Sequence, residues 1–375
     1  MERWDGAFAS IVGKRRRKKG KNVETFAFDK RLNDAGRAKR GSRRFFIGNL
    51  IATRAAPTEP EKRNGETEQR LATRRRLKKG KRLTMSFAES TSTGISDVHA
   101  HLQDGRFGDD LTVYFERARA RGVRRFVCCG TSPADWKKTA EIAKKYPDVL
   151  PTFGVHPWNV GRIEGDWATA LKIMLDSTLS ADGVYGAAVG EVGLDFAVRN
   201  LDAASQEAVL RTQLEIANER RLPVAIHSVR ANELTLKILR DYPKVPVWLL
   251  HSWTATEAEI ERALAANVFF SFSPRCVAPN AVRARETVAK VPRDRILVES
   301  DAPTPLPPNG YGKPASQIAS FAVEARAEDG TLLSAPASVV DVAEAIAAIR
   351  KTPVDELYRQ IGLNEKRFFQ CWPTR

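Results

Sequence analysis

The chain has 375 residues, enough for one large domain with a tail or for two small domains. Its positive charge is confined to one end. Residues 1–84 hold 26 Lys and Arg against 9 Asp and Glu, a balance of +17, and the remaining residues sum to −1. No apolar run is long enough to cross a bilayer and no secretory signal pattern is present, so the sequence predicts no membrane association.

Residues 1–90 are predicted to form a basic, largely disordered extension, because they carry charge clusters at 14–19 and 74–82 and little apolar periodicity. Three interpretations remain open. The extension could direct the protein to the nucleus or bind nucleic acid non-specifically. It could be an organelle-targeting segment, although nine acidic residues fit this poorly. Translation could also begin at Met85, since folding signals start only near residue 94.

The four cysteines contain no Cys-x-x-Cys pair of the metal-binding kind. Cys128 and Cys129 are adjacent in a predicted strand, where they are better interpreted as small buried hydrophobes than as a disulfide. This usage favours a reducing compartment, the cytoplasm or the nucleus.

Short apolar runs alternate with helical patterns from residue 94 onward, which places a folded domain at residues 91–375. The predicted strands are 95–99, 123–129, 150–154, 186–191, 223–227, 245–251, 267–271 and 296–299. The predicted helices are 133–145, 205–220, 256–266 and 280–288, with a closing helix at 354–369.

Eight buried strands that alternate with helices over about 275 residues indicate an α/β fold, a (β/α)8 TIM barrel. A doubly wound open sheet is the alternative. The barrel is favoured because it brings the carboxyl ends of distant strands to one mouth.

All five histidines follow short apolar segments of the chain. The candidate cluster consists of His99, His101, His156, His227 and His251, together with Glu191 and Asp301, which end two further segments. Taken alone, each histidine is more often a hydrogen-bonded rim residue than a ligand. Together, imidazoles and carboxylates at the ends of buried strands predict a metal site and a hydrolase. The His-x-His pair points both rings to one face of its strand.

These motifs resemble those of the TatD-type metal-dependent deoxyribonucleases, a family within the amidohydrolase-like barrels. The matching strings are DVHAHL at 97–102, GVHP at 154–157, GEVGLDF at 190–196, IHSVRA at 226–231, LHS at 250–252 and ESDAP at 299–303. Their order covers the whole predicted barrel.

The resemblance implies two divalent ions that share one bridging carboxylate. The implied ligands are His99, His101, Glu191 and Asp301 for the first ion, and Glu191, His227 and His251 for the second. Nitrogen and oxygen ligands suit zinc, magnesium or manganese and do not decide among them.

Further roles follow from the chemistry of a phosphodiester. Asp301 is the best candidate to accept the proton of the attacking water. His156 is better placed to bind the scissile phosphate or protonate the leaving group, and its alternative is a structural loop histidine. Arg230 could bind phosphate, and Asp195 could orient a ligand.

The predicted activity is a 3′–5′ exonuclease acting on single-stranded DNA. One alternative is amide or ester hydrolysis, including deacylation of aminoacyl-tRNA, and another is a nucleic-acid-binding protein on an inactive barrel. Two departures from the family pattern leave substrate preference open. The proline-rich loop at 303–314 matches loosely, and residues 322–340 resemble an insertion.

Overall fold

The computed structural model describes residues 94–180, 183, 186–198, 200–306 and 325–372. Eight parallel strands pair in chain order within one sheet. The strands are β1 (Ile95–Ala100), β2 (Val123–Cys129), β3 (Val149–Phe153), β4 (Ala188–Asp195), β5 (Val224–Val229), β6 (Trp248–His251), β7 (Val268–Phe272) and β8 (Ile296–Val298). The predicted basic extension at residues 1–90 lies outside the described residues.

The first eight helices lie between the strands along the chain, and the last two follow β8. They are α1 (Thr112–Ala120), α2 (Pro133–Lys145), α3 (Trp167–Asp176), α4 (Ala203–Arg220), α5 (Asn232–Leu239), α6 (Glu257–Ala263), α7 (Pro274–Val277), α8 (Val282–Lys290), α9 (Val339–Arg350) and α10 (Val354–Gln370). Short 3-10 turns lie at Gly105–Phe107, Pro157–Arg162, Arg293–Arg295 and Pro336–Ser338. In the described part of the chain, no helix is both long and apolar enough to cross a membrane.

The predicted TIM barrel is confirmed, and the carboxyl ends of the strands differ most from the prediction at β4 and β5. β4 extends four residues beyond the predicted end at Glu191, and β5 extends two beyond His227. The extra residues pair with each other: Gly193, Leu194 and Asp195 lie opposite His227, Ser228 and Val229. Glu191 and His227 therefore lie inside strands that hold their side chains firmly.

Bonds between the end of β8 and β1 close the sheet. The backbone N–H of Asp301 donates to the His99 carbonyl at 3.0 Å, and that of His101 donates to the Ala302 carbonyl at 2.7 Å. The fully buried Asp97 carboxyl accepts from the Ser300 N–H at 2.8 Å and from its hydroxyl at 2.5 Å. The two strands that carry the first and last predicted ligands are thus joined directly.

The barrel interior is apolar and is sealed at its amino-terminal end by α10. Val98, Val127, Leu249, Phe269 and Leu297 are among the interior side chains. The α10 aromatic rings Phe368 and Phe369, and Trp372 beyond them, pack against this cluster. The predicted closing helix at 354–369 agrees with α10, and only the opposite, carboxyl-terminal mouth of the barrel remains for chemistry.

A buried carboxyl also lies at the sealed end. Glu365 of α10 accepts hydrogen bonds from the Ser96 N–H at 2.6 Å and from the Ser96 hydroxyl at 2.9 Å. Burial raises the pKa of Glu365 from 4.5 to about 7, although these bonds and the charge of Arg125 act in the opposite direction. A carboxyl whose pKa is raised on folding costs stability as pH rises through that interval.

We expect Glu365→Gln to relieve this cost without breaking the contacts to Ser96. Relative to the wild type, its free energy of unfolding should increase between pH 4.5 and pH 8 by up to about 3 kcal/mol. Urea unfolding at both pH values measures the difference. A difference that does not change with pH would mean that folding does not raise the pKa of Glu365.

Candidate metal centre at the barrel mouth

The predicted site residues converge from six strands at the carboxyl-terminal mouth. His99 lies in β1, Glu191 in β4 and His227 in β5, and His251 ends β6. His101 follows β1, His156 follows β3 and Asp301 follows β8. The fold therefore brings together all seven side chains that the sequence singled out for the cluster.

Glu191 is the centre of the cluster, because its carboxylate contacts all five imidazoles. Oε2 lies 3.2 Å from Nε2 of His99 and 3.2 Å from Nε2 of His101. Oε1 lies 2.8 Å from Nδ1 of His227, 2.9 Å from Nε2 of His251 and 3.4 Å from Nε2 of His156. Burial alone would raise the pKa of Glu191, but the surrounding imidazoles hold it well below its usual range. Each oxygen thus faces a different group of histidines, as a bridging carboxylate requires.

Glycine makes this close approach of the strands possible. Gly193 has φ +153°, and a Cβ atom there would lie 1.9 Å from the carbonyl oxygen of His227. At Gly190, a Cβ atom would lie 2.8 Å from that of Ala225. Any side chain at these two positions would push β4 and β5 apart and separate Glu191 from His227.

Three imidazoles have a hydrogen-bond acceptor on the side that faces away from Glu191. Nδ1 of His101 lies 2.9 Å from the Cys129 carbonyl, which can only accept, so this nitrogen carries the proton. Nδ1 of His251 lies 3.2 Å from Oε1 of Glu299. In each ring the nitrogen that faces Glu191 is therefore the one that can bind a metal after it loses its proton, the arrangement that orients histidine ligands of metals.

The third ring, His227, has the opposite orientation: its Nδ1, rather than its Nε2, faces Glu191, and its other nitrogen again faces an acceptor. Its Nε2 lies 3.2 Å from Oδ2 of Asp195, and its Nδ1 faces Glu191. Burial would raise the pKa of Asp195, yet hydrogen bonds from His227 and Trp158 lower it to about 2. Asp195 thus occupies the orienting position that the sequence predicted for it.

His156 differs from these three in its hydrogen bonding. Its Nδ1 accepts a hydrogen bond from the Trp158 backbone N–H at 3.1 Å, so the proton of the neutral ring lies on Nε2, facing the site. Burial lowers the pKa of His156 to about 4, which keeps the ring neutral. An imidazole with this tautomer donates a hydrogen bond into the site and has no lone pair there to offer a metal.

Distance alone groups the possible ligands in three sets, two of which share His99. These are His99, His101 and Asp301; His156, Glu191 and His227; and His99, His251 and Glu299. The first set contains the ligands predicted for the first ion, except that it lacks the bridging Glu191. In the second set, His156 takes the place predicted for His251. The hydrogen bond from the Trp158 N–H, which leaves the proton of His156 on Nε2, favours His251 as the ligand.

Asp301 is held at the rim by its backbone. Its φ of +48° is in the left-handed region, which residues other than glycine rarely adopt. Its N–H bond to His99 and a 3.1 Å hydrogen bond from the Thr304 hydroxyl to Oδ2 stabilise this conformation. Oδ1 faces His101 Nε2 at 3.8 Å, and the side chain is 15% exposed, so the carboxylate can reach both the cluster and solvent.

Glu299 was missed as a site residue by the sequence reasoning. It is fully buried and accepts from His251 and, at 2.6 Å, from the Ser252 hydroxyl. The Ser271 hydroxyl also donates to it. In the sequence it looked like the last residue of an apolar strand. The available signal was that a charged residue directly follows the apolar run of β8, where a buried carboxylate needs a partner.

Arg230 does not join the cluster. It follows β5 with φ +54°, and its side chain is exposed. Among the described residues, no hydrogen bond or ion pair holds its guanidinium. The predicted phosphate contact therefore remains a proposal.

The donor set fits divalent metal ions. The groups that face one another are imidazole nitrogens and carboxylate oxygens, the ligands that zinc, magnesium and manganese take. Cys129 lies behind His99, with Sγ 3.3 Å from Nδ1, and burial raises the pKa of its thiol well above 9, so no thiolate enters the set. All four cysteines are free, and Cys128 and Cys129 are buried.

Known proteins of one family resemble this chain. A family model described as TatD related DNase matches residues 96–370. A "3′-5′ ssDNA/RNA exonuclease TatD" from Erwinia tasmaniensis is 29% identical over 276 residues, covering 73% of this chain and 98% of the relative. An "uncharacterized metal-dependent hydrolase YabD" from Bacillus subtilis is 27% identical over 278 residues, covering 74% of this chain and 99% of the relative.

Solved structures show the same fold. The crystal structure of YjjV, a TatD homolog from Escherichia coli K12, aligns with a TM-score of 0.62 at 23% identity and covers 74% of this chain and 98% of that one. A TatD family hydrolase from Entamoeba histolytica aligns with a TM-score of 0.63 at 19% identity, with the same coverage. Since the family model extends from the first strand to the last helix, the chain belongs to the TatD-related DNases and is a metal-dependent hydrolase of that family.

Proposed function

We propose that this protein is a 3′–5′ exodeoxyribonuclease that cleaves single-stranded DNA at a site of two divalent ions. The observation that carries the proposal is the contact of all five imidazoles with the two oxygens of Glu191. A carboxylate that faces different histidines with each oxygen suits a bridge between two ions better than a single closed site.

The proposed ligands are divided between the two oxygens of Glu191. The first ion takes His99, His101 and Asp301 with Glu191, and the second takes His227 and His251 with Glu191. Asp195 contacts the rear nitrogen of His227 and Glu299 that of His251, so that the other nitrogen of each ring faces the site and can bind the ion once it is deprotonated. When bound, the ions would lower the pKa of a water molecule and offset the charge of the non-bridging phosphate oxygens.

The side chains around the ions have separate tasks. Asp301, partly exposed at the rim, accepts the proton of the attacking water. His156 donates from Nε2 to a phosphate oxygen, since a pKa of about 4 leaves it neutral and a poor proton donor at neutral pH. Arg230, exposed at the end of β5, binds a phosphate farther along the strand.

Two observations support this substrate. The relatives from Erwinia are named for cleavage of single-stranded DNA and RNA from the 3′ end. The chain beyond residue 84 has a net charge of −1, which suits short engagement of a strand end better than a hold on long duplex DNA.

An assay with labelled oligonucleotides tests the proposal. Chelator-treated protein is reloaded with Mg²⁺, Mn²⁺ or Zn²⁺ and given a 5′-labelled single strand, the matching duplex, the RNA counterpart, an aryl ester, an amide and an aminoacyl-tRNA. We expect a ladder that shortens from the 3′ end of the single strand and much slower cleavage of the duplex. Hydrolysis of the ester, amide or aminoacyl-tRNA with no cleavage of DNA would favour the alternative reaction class.

Loss of the His156 side chain should reduce turnover without loss of metal. In His156→Ala we expect turnover to fall by about 100-fold, because a preorganised donor to the phosphate is removed. His156→Gln, which keeps an N–H donor, should retain part of the turnover that His156→Ala loses. Metal content of the purified variants decides the role: loss of one ion in His156→Ala would make His156 a ligand.

The basic extension is proposed to act outside catalysis. A chain that begins at Met85 should cleave a short oligonucleotide as fast as the full chain. It should bind long DNA more weakly and with a smaller salt dependence, because residues 1–84 carry a balance of +17. Nuclear accumulation of the full chain, if observed, should also be lost. Equal affinities across a salt series would show that the extension does not bind nucleic acid.

A further inference from the structure

One aromatic ring at the barrel mouth is exposed to solvent although it lies beside the proposed catalytic residues. Trp158 is 54% exposed and is the only exposed aromatic side chain among the described residues. It belongs to the 3-10 turn Pro157–Arg162, and its ring centroid lies 5.0 Å from that of His156 and 6.3 Å from that of His227. Exposed apolar surface in such a position is typical of a site that binds a ligand.

Hydrogen bonds, rather than burial, hold the indole in place. Its Nε1 donates to Oδ2 of Asp195 at 2.7 Å, the same oxygen that faces His227. Its backbone N–H donates to Nδ1 of His156. The polar edge of the ring is thus fixed to the site while much of its surface remains open. A ring held in this way loses little conformational freedom when a flat partner stacks on it.

Two more exposed apolar side chains lie at the carboxyl ends of the next two strands. Val198, 38% exposed, follows β4, and Val229, 36% exposed, ends β5. Trp158 follows β3, so the three come from consecutive strands. The carboxyl ends of β3, β4 and β5 thus carry exposed apolar side chains, whereas the centre of the cluster carries imidazoles and carboxylates.

From this arrangement we infer that Trp158 is a stacking platform for one unpaired nucleobase of the substrate strand, next to the phosphate that is cleaved. The inference rests on the proposed nuclease function and adds a specificity determinant to it. Aromatic rings bind single-stranded nucleic acid through the π-face that every base has. A base inside a duplex is already stacked on both faces, so the platform selects unpaired ends.

The test combines protein variants with substrates that lack one base. An oligothymidylate carries a single abasic nucleotide at the last, second-last or third-last position from its 3′ end. With the metal-loaded wild type, kcat/KM should fall roughly 5- to 150-fold at one of these positions, the range expected for one stacked base. Trp158→Ala should lose a similar factor on the intact strand and respond little to the abasic nucleotide.

Trp158→Phe separates stacking from the hydrogen bond to Asp195. It keeps an aromatic face but has no N–H, so sensitivity to the abasic nucleotide should persist. Leu363→Ala, which removes an equally exposed apolar side chain on α10, is the control and should match the wild type. Metal content should be unchanged in all three variants.

Binding supplies a readout that does not depend on turnover. Anisotropy of a fluorescein-labelled oligothymidylate with chelator-treated protein should show weaker binding by Trp158→Ala and near wild-type binding by Trp158→Phe. If the wild type cleaves single strands but ignores every abasic position, stacking is overturned and the nuclease proposal stands. Stacking would also be overturned if the abasic nucleotide lowered kcat/KM of Trp158→Ala by the same factor as that of the wild type. If the wild type cleaves no nucleic acid with any metal, both proposals are overturned.

Discussion

Glu191→Gln is expected to abolish hydrolysis and to remove the response of the protein to metal. The substitution keeps the size of the side chain but takes away the charge that contacts five imidazoles. Loss of a bridging ligand should cost about 4 kcal/mol or more of transition-state stabilisation, roughly a 1,000-fold fall in kcat/KM. The melting temperature of the wild type should rise when Mn²⁺ or Zn²⁺ is added, and that of the variant should not.

Two further variants serve as controls for this experiment. Glu365→Gln makes the same chemical change at a buried site at the sealed end of the barrel and should keep full activity. Glu191→Asp retains the charge on a shorter side chain and should keep some metal binding. A Glu191→Gln protein that is stabilised by metal as strongly as the wild type would contradict the bridging role.

Asp301→Asn should lower turnover by roughly 100- to 10,000-fold at saturating metal, with little change in KM, because the proposed proton acceptor is lost. The backbone bond from Asp301 to His99 does not involve the side chain, so the barrel should remain closed. Steady-state kinetics over a series of metal concentrations separates weaker metal binding from slower chemistry.

Asp195→Asn is the matched control for Asp301→Asn. It makes the same substitution in a residue that touches His227 and Trp158, and it should cost only about 10- to 100-fold. More than a tenth of wild-type turnover in Asp301→Asn, with metal saturating, would exclude Asp301 as the proton acceptor.

The barrel was predictable because each strand is buried on both faces. Parallel strands of this kind appear in a sequence as short apolar runs, and β2 was predicted with both ends correct. The carboxyl ends of β4 and β5 were not predicted correctly. Gly193 and Ser228 interrupt the apolar pattern there, although both residues pair in the sheet. Pairing between strands is a tertiary property that a local pattern does not contain.

The candidate ligands were predictable for a related reason. A histidine or carboxylate that ends a buried strand reaches the mouth of any parallel barrel. The groups behind the ligands were harder to predict. Glu299 belongs to the run that precedes Asp301, and only the contact between its side chain and that of His251 at the end of β6 shows that it faces the site. The tautomer of His156 depends on one backbone N–H and could not be inferred from residue types.

The metal content of three proteins tests the central claim most directly. Wild type, His99→Ala and His227→Ala are purified, loaded with Mn²⁺ or Zn²⁺, freed of excess by gel filtration and analysed by inductively coupled plasma mass spectrometry. Two ions per chain in the wild type and one in each variant are predicted, since His99 belongs to the first proposed site and His227 to the second. A fully active wild type with a single ion per chain, or variants that keep two, would contradict the two-ion site.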